Sequence, residues 1–289
     1  MLETPDLRFF GRSEVLHLAY CGIFQFQKTN NRLPENNEED FQAVLANVKS
    51  INEANKASEG INLDEIDEKV IRNATLYSKA CLSPMAAFFG GIIAQEIVKF
   101  TGKYSPLKQW LHYDIFETLP RVPVDRTPLN CRYDDQILVY GREVQEKLSK
   151  IRTFMIGAGA LGCEYVKAFA LMGLGCSKEG KVTVTDNDNI EVSNLNRQFL
   201  FRKNNVGDSK AKVACEIAHD MNNELNVQSY KLYVATETES VFNDKFWEGL
   251  DFVVNAVDNI KARLYVDARC VWYTKPLLES GTLGTKANS

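Results

Sequence analysis

Apolar residues along the first third of the chain recur at helical spacing. Glu14 to Phe26 places Val15, Leu18, Ala19, Gly22 and Ile23 on one face, with Ser13 positioned to cap it. Glu38 to Ala54 repeats Phe41, Val44, Leu45, Val48 and Ile51 at i, i+3, i+4, i+7, and Asp64 to Lys79 is a third, less regular helical stretch. Together they predict a small helical bundle over residues 1–82. Ser83-Pro84 then reads as a cap followed by proline at the first helical position, opening a helix that runs to about Thr101. That helix is apolar nearly all round, which predicts burial. Its Gly90-Gly91 pair reads either as a close approach of a neighbouring backbone or as a tolerated pair. Gln109 to Phe116 alternates like a strand, and Leu119 to Asn130, with three prolines, reads as a linker.

Beyond a helix at Arg142 to Leu148 the period changes. Strands are predicted at Thr153–Ile156, Lys181–Thr185, Val227–Val234, Asp251–Asn255 and Pro276–Leu278. Helices are predicted at Leu161–Met172, Lys210–Met221, Val241–Trp247 and Lys261–Tyr273. Strand and helix in alternation predict an α/β fold with a Rossmann-like, mostly parallel sheet covered on both faces, preceded by the bundle. Ligands of such sheets bind at the carboxyl ends of the strands.

Composition narrows the classes. At 45% hydrophobic and 25% charged residues the chain can build an ordinary core, and a net charge of −4 gives no electrostatic case for nucleic acid or an anionic membrane. Met85 to Val98 is too short to span a bilayer and carries Gln95 and Glu96; Met1-Leu2-Glu3-Thr4 does not read as a signal peptide. Seven cysteines without a C-x-x-C pair argue against structural zinc and for free thiols in a reducing compartment, cytoplasmic or nuclear. His17, His112 and His219 share no ligand spacing and read as packing or surface residues.

Candidate chemistry centres on Gly157-Ala158-Gly159-Ala160-Leu161-Gly162, set between a strand and a helix, where glycines bring backbone N–H groups close to phosphate oxygens. The motif alone suits a dinucleotide, ATP or a bare tight turn. Asp186, at the end of the second strand, reads as a ribose-hydroxyl acceptor or as a turn residue. It lies 29 residues beyond Gly157, against about 20 in dinucleotide folds, so NAD is not favoured. Asn194, Arg197 and Gln198 bunch past that strand end and offer donors to phosphate, with Lys210 at a helix start where a bound anion would offset the dipole; the alternative is exposed solubilising charge. Asp258 is a carboxylate for magnesium bridging phosphates, or an N-cap for the helix near Lys261.

Taken in order, the glycine loop, Thr185-Asp186-Asn187-Asp188, Ser193-Asn194-Leu195-Asn196-Arg197-Gln198-Phe199, Lys210, Asn255-Ala256-Val257-Asp258-Asn259 and Glu279-Ser280-Gly281-Thr282-Leu283-Gly284-Thr285 resemble the ubiquitin-activating enzymes; parts recur in bacterial adenylyltransferases of molybdopterin and thiamine synthesis. Leu82 to Gly102 and Gln109 to Pro120 resemble the end of the inactive adenylation domain of those enzymes. The resemblance implies three segments: a helical bundle over 1–82, the end of the inactive adenylation domain over 83–122, and the first portion of the active one over 123–289. It implies ATP-dependent adenylation of the ubiquitin C-terminus, then thioester transfer to a cysteine outside this chain and onward to ubiquitin-conjugating enzymes. Gly157, Gly159, Ala160 and Gly162 would hold the nucleotide and Asp186 the ribose. Asn194, Arg197, Gln198 and Lys210 would line the phosphates, with Arg197, Lys210 and Asp258 as the catalytic set and Asp188 and Asp258 as magnesium ligands. Arg132 resembles an arm that reaches away from its own nucleotide, and Cys163 reads as a packed residue. Because the thioester cysteine, the ubiquitin-fold domain and an arginine from the other half have no match, the chain reads as a fragment without full activation. Rival readings are an NAD-dependent oxidoreductase and a non-catalytic interaction module with an adenylation-like fold.

Overall fold

The computed structural model describes residues 2–3, 11–58, 60–283 and 286–289; Gly284 and Thr285 of the last motif lie outside the described residues. The chain divides into two compact units, Met1–Arg142 and Glu143–Ser289.

In the first unit, β1 (Leu2–Glu3) is followed by α1 (Arg12–Asn30), α2 (Glu38–Lys56) and α3 (Glu68–Leu76). Their apolar stripes meet in one core of Leu18, Ala19, Ile23, Phe41, Val44, Val48 and Ile71. Asn37 caps α2 by accepting from Asp40 N at 2.8 Å, and Asp67 caps α3. Ser13 does not cap α1: the helix begins at Arg12 behind Gly11, and Ser13 is buried inside its first turn. Asp64 to Asp67 lies outside α3, since Asp67 turns the chain into it.

The largest departure from the sequence pattern is α4 (Ser83–Lys99). Leu82, not Ser83, is its N-cap, and no residue of the helix is buried. Ile93, Ile97 and Val98 are each more than half exposed, and a Cβ added at Gly90 or Gly91 meets nothing within 4 Å. Apolarity creates a demand for cover, but among the described residues little answers it beyond Phe88 stacking on Tyr113 at 4.3 Å. The alternation after Gln109 yields only β2 (Trp110–Leu111), parallel to β1, because Gln109 takes φ 66° and the chain tightens into a 3-10 turn at Phe116–Thr118. The large residues there dock on α1 instead: Asp114 accepts from Arg12 Nη1 at 3.0 Å, and His112 Nε2 lies 3.2 Å from His17 Nδ1. Residues 119–130 are irregular, and α5 (Asp134–Tyr140), which the hydropathy pattern did not indicate, closes the unit.

Apart from Arg142, the first residue of α6 (Arg142–Lys150), the second unit runs α6, β3 (Arg152–Ile156), α7 (Ala160–Met172), β4 (Lys181–Thr185), α8 (Lys210–Met221), β5 (Val227–Tyr230), α9 (Asp244–Glu248), β6 (Phe252–Asn255), α10 (Ile260–Trp272) and β7 (Leu277–Glu279), with an antiparallel pair β8 (Gly281–Leu283) and β9 (Lys286–Asn288). The five-stranded sheet is parallel throughout, in the order β5-β4-β3-β6-β7. Neighbouring side chains on a strand serve opposite faces: Met155, Val182, Val184 and Val254 pack with α7 and α8, whereas Phe154, Ile156 and Val253 pack with Trp247, Val266 and Cys270. Two elements are shorter than their patterns. β5 stops at Tyr230, before Val234, because the chain crosses over Thr185, whose Oγ1 donates to Leu232 O at 2.7 Å. α9 starts at Asp244 because Asn243 caps it, so Val241 stays outside.

Candidate nucleotide-binding cleft

Register brings the candidate residues together. Ile156 pairs with Thr185 on one side and Asn255 on the other, and Asn255 pairs with Glu279. The next residues, Gly157, Asp186, Ala256 and Ser280, therefore leave the sheet along one carboxyl edge. Connections depart to opposite sides of β3 and β6, so this is the topological switch point, where α/β sheets open a crevice. A cleft of about 360 Å³ lies there, lined by Gly157, Gly159, Ala160, Asp186, Asp188, Asn194, Arg197, Gln198, Lys210 and Asp258, among others.

The glycine loop has little freedom. Gly157 has φ 98°, and a Cβ on it would lie 2.5 Å from Ala256 O; a Cβ on Gly162 would lie 2.2 Å from Gly157 O. Gly159 is different: its Cβ would meet only Gln198 Nε2, at 3.9 Å, so it faces open cleft. Gly159 is also the N-cap of α7, and no side chain caps that helix. The first-turn N–H groups and the positive end of the helix dipole therefore face the crevice, an arrangement suited to an anion.

Asp186 braces the loop. Its Oδ2 accepts from Ala158 N at 2.7 Å and its Oδ1 from Asp188 N at 2.8 Å. Burial pushes its carboxyl above the ordinary range, against the pull of these two backbone donors and of Lys210.

Residues 189–209 form an excursion closed at its neck. Asn189 bridges Ser209, Ile190 N donates to Asp208 O at 2.8 Å, and Gly207 N donates to Ile190 O at 2.9 Å. Within it Asn194 is buried and accepts from Glu191 N at 2.9 Å. Arg197 is exposed, and Nη1 donates to Ser193 O at 3.1 Å and Asn196 Oδ1 at 3.2 Å within its own turn. Gln198 is buried, and its Oε1 has no hydrogen-bond partner among the described residues. At the foot of the neck Lys210 is buried at the start of α8, Ser209 caps that helix, and Lys210 Nζ donates to Asp188 Oδ2 at 2.8 Å.

On the opposite wall Asp258 is exposed and is not a helix cap: Asn259 caps α10 by accepting from Ala262 N at 2.8 Å. Asp188 and Asp258 share the cleft, but no group of three metal-ligating side chains forms among the described residues. Mg²⁺ needs no such cage, since one or two carboxylates plus substrate phosphates and water suffice, so the donor set fits that ion. None of the seven cysteines lines the cleft. Cys163 is fully buried in the sheet–helix core, where burial pushes its thiol up to about 12.

Some lining residues lie outside the motifs. Leu232, Tyr233 and Val234 supply an apolar edge just past the shortened β5, and an apolar run continuing beyond a strand end was the available signal. Arg263 enters from α10; four residues beyond the Asn259 cap, it was detectable as a cation on the cleft-side end of a helix.

A parallel sheet with this order, a glycine loop ahead of an uncapped helix and a polar cleft at the switch point define a nucleotide-binding α/β protein. Residues 133–289 match the model of the ThiF family, more than half of the chain, and the chain belongs to that family. Residues 1–52 match the ubiquitin-activating enzyme E1 four-helix bundle. Over 98% of its length the chain is 48% identical to ubiquitin-activating enzyme E1 2 of Arabidopsis thaliana, and over 99% it is 43% identical to ubiquitin-like modifier-activating enzyme 1 of Homo sapiens. It spans 27% of the length of each of these relatives. Among solved structures, tRNA N6-threonylcarbamoyladenosine dehydratase of E. coli in complex with ATP aligns with 54% of this chain and 61% of its own, at 25% identity and a TM-score of 0.48.

Proposed function

We propose that this chain carries the ATP-binding part of a ubiquitin-activating site. The observation that supports it most is the convergence of the uncapped α7 N-terminus, Arg197, Gln198, Lys210 and Asp186 on one cleft. A dinucleotide reading uses the loop and Asp186 but leaves the cations and Asp258 without work. The relatives' names supply the substrate class. In the proposed reaction a ubiquitin C-terminal carboxylate oxygen attacks the α-phosphorus of ATP, the bond to the bridging oxygen breaks, and pyrophosphate leaves with that electron pair.

This chain's residues act by position and charge. The glycine loop and α7 amides hold phosphate oxygens, and Asp186 accepts from the ribose hydroxyls with the lone pairs its two amide donors leave. Arg197 and Lys210 offset charge on the phosphates, and Asn194 and Gln198 offer amide N–H donors to phosphate oxygens. Asp258, with Asp188, would hold Mg²⁺, which supplies neutralisation of the leaving pyrophosphate. Transfer to a thioester uses a cysteine outside this sequence, and conjugating enzymes are met through parts outside it. Seven free cysteines support a reducing compartment, cytoplasmic or nuclear.

Calorimetric titration of the 289-residue chain with Mg-ATP and with NADH tests the reading. Binding of ATP without NADH is expected; NADH binding without ATP overturns it. Ubiquitin-dependent exchange of pyrophosphate into ATP should be absent with this polypeptide alone, and robust exchange would remove the proposal that further segments complete the site.

A further inference from the structure

Arg263 lines the cleft, yet its guanidinium is engaged by the protein itself. Nη1 donates to Glu279 Oε1, and Nη2 donates to Val257 O at 2.7 Å and to Ser280 O at 3.2 Å. The other carboxylate oxygen of Glu279 accepts from Asn255 Nδ2 at 2.5 Å, and Asn255 is wholly buried at the end of β6. Ser280 is itself buried, with its Oγ 2.6 Å from Tyr165 OH on α7. A Cβ on Gly281 would lie 2.9 Å from Nη2, so the strand end makes room for the guanidinium at that position.

An arginine beside an anion cleft either contacts the ligand or holds the wall. Here the planar fork is directed at three protein acceptors on two separate strand ends. Val257 immediately precedes Asp258, and Ser280 immediately precedes Gly281 and Thr282, which also line the cleft. Neither carbonyl is reached by the sheet ladder of β6 and β7, whose pairing ends at Asn255 and Glu279. Beyond that level, among the described residues, the hydrogen bonds tying the two ends together run through the Arg263 guanidinium, which Glu279, itself held by Asn255, engages from the side.

The geometry points to Arg263 as the positioning residue of the Asp258 loop: with Glu279 and Asn255 it staples the Val257 and Ser280 carbonyls and thereby sets where the Asp258 carboxylate meets Mg-ATP. The inference rests on the nucleotide reading above and deepens it. Arg263 does not touch phosphate; it acts through Asp258.

The test uses the 289-residue chain with Arg263→Ala, Arg263→Lys, Asp258→Asn and the Asp258→Asn/Arg263→Ala double variant. Hydrogen exchange read by mass spectrometry should rise in residues 256–260 and 279–282 of Arg263→Ala and stay unchanged in β3 and β4. Mg-ATP affinity should fall about tenfold, the lower end of what loss of an outer-shell partner of a metal site costs. ATP affinity with Mg²⁺ chelated should stay within about twofold, because no phosphate contact is lost. In the Asp258→Asn background Arg263→Ala should add nothing, since both act through one carboxylate. Lysine should not rescue, because one ammonium cannot span both carbonyls and Glu279. Unchanged Mg-ATP affinity, an equal loss with and without Mg²⁺, additive effects in the double variant, or exchange raised throughout the second unit would each overturn the assignment. Failure of the unsubstituted chain to bind ATP would instead remove the nucleotide reading, and the local exchange pattern would then decide the staple alone.

Discussion

Lys210 and Asp188 form an ion pair of 2.8 Å in which the lysine side chain is only 10% exposed and the aspartate 56%. Backbone joins them as well, since Lys210 N donates to Asp188 O at 3.1 Å. The pairing holds a cation at the base of the cleft, at a helix start where the dipole opposes it. Lys210→Ala should weaken ATP binding by roughly 10- to 100-fold, the equivalent of about 1.5–3 kcal/mol for hydrogen bonds to a charged group. Asp188→Asn should cost about 1 kcal/mol of stability at most, because the aspartate is half in water. Calorimetric titration beside thermal melts separates the two effects; ATP affinity unchanged in Lys210→Ala would remove the lysine from the site.

Two glycines of the same loop should fail in different ways. Gly162→Ala forces a Cβ to within 2.2 Å of the Gly157 carbonyl, so the loss should appear first as lowered stability, on the order of 1–3 kcal/mol. Gly159→Ala projects its methyl group into open cleft and should leave the unfolding midpoint unchanged while reducing ATP affinity. A Gly159→Ala protein that binds ATP normally would mean the ligand does not approach this backbone.

The buried His112 should titrate far below a free imidazole. Its pKa is lowered to about 4, first by burial and then by His17, with Glu14 opposing. An imidazole depressed in the folded state favours folding while neutral. That contribution is present above about pH 6.5 and disappears as pH falls toward 4. An NMR titration of the ring proton should show a midpoint near 4, and His112→Gln should flatten the acid limb of stability for the first unit. A midpoint near 6.5 would contradict the packed His17–His112 contact.

Cys163 follows the glycine loop in a position that invites a nucleophilic reading, yet its thiol should be inert. Maleimide labelling of the native chain at pH 8, mapped by mass spectrometry, should modify the exposed Cys81 and Cys131 and spare Cys163, Cys215 and Cys270 until denaturant is added. Native labelling at Cys163 would show that the core around it opens.

The second unit was the more legible half. Strand Lys181–Thr185 and helix Lys210–Met221 have the bounds their hydropathy and turn residues indicated, and Gly157, Gly159, Ala160, Asp186, Asp188, Asn194, Arg197, Gln198, Lys210 and Asp258 share one cleft, whereas Gly162 packs against the Gly157 carbonyl and does not line it. Local pattern was enough there because each strand end delivers its next residue to the same edge. What stayed hidden depends on partners distant in sequence. Arg263 gains its role only once β6 lies beside β7, and no periodicity encodes that adjacency. The His17–His112 contact spans 95 positions, so spacing rules for metal or catalytic histidines had nothing to register. The helix Asp134–Tyr140, only seven residues long, is too short for a period, although Asp134 and Asp135 in its first turn mark a helix start. For Ser83–Lys99 the apolar pattern was correctly a helix, but burial depends on a neighbour that hydropathy does not supply.

The closed neck at Asn189 and Ser209 has a thermodynamic consequence for whatever enters the cleft. A long excursion tethered only at distant ends would have to be ordered by its ligand, with each residue fixed subtracting from affinity. Here Asn194, Arg197 and Gln198 hang from a loop whose closure entropy is met during folding, by three backbone contacts at its base. Capture of an anion at this wall should therefore proceed with a small unfavourable conformational entropy, and the wall should keep its shape between successive ligands.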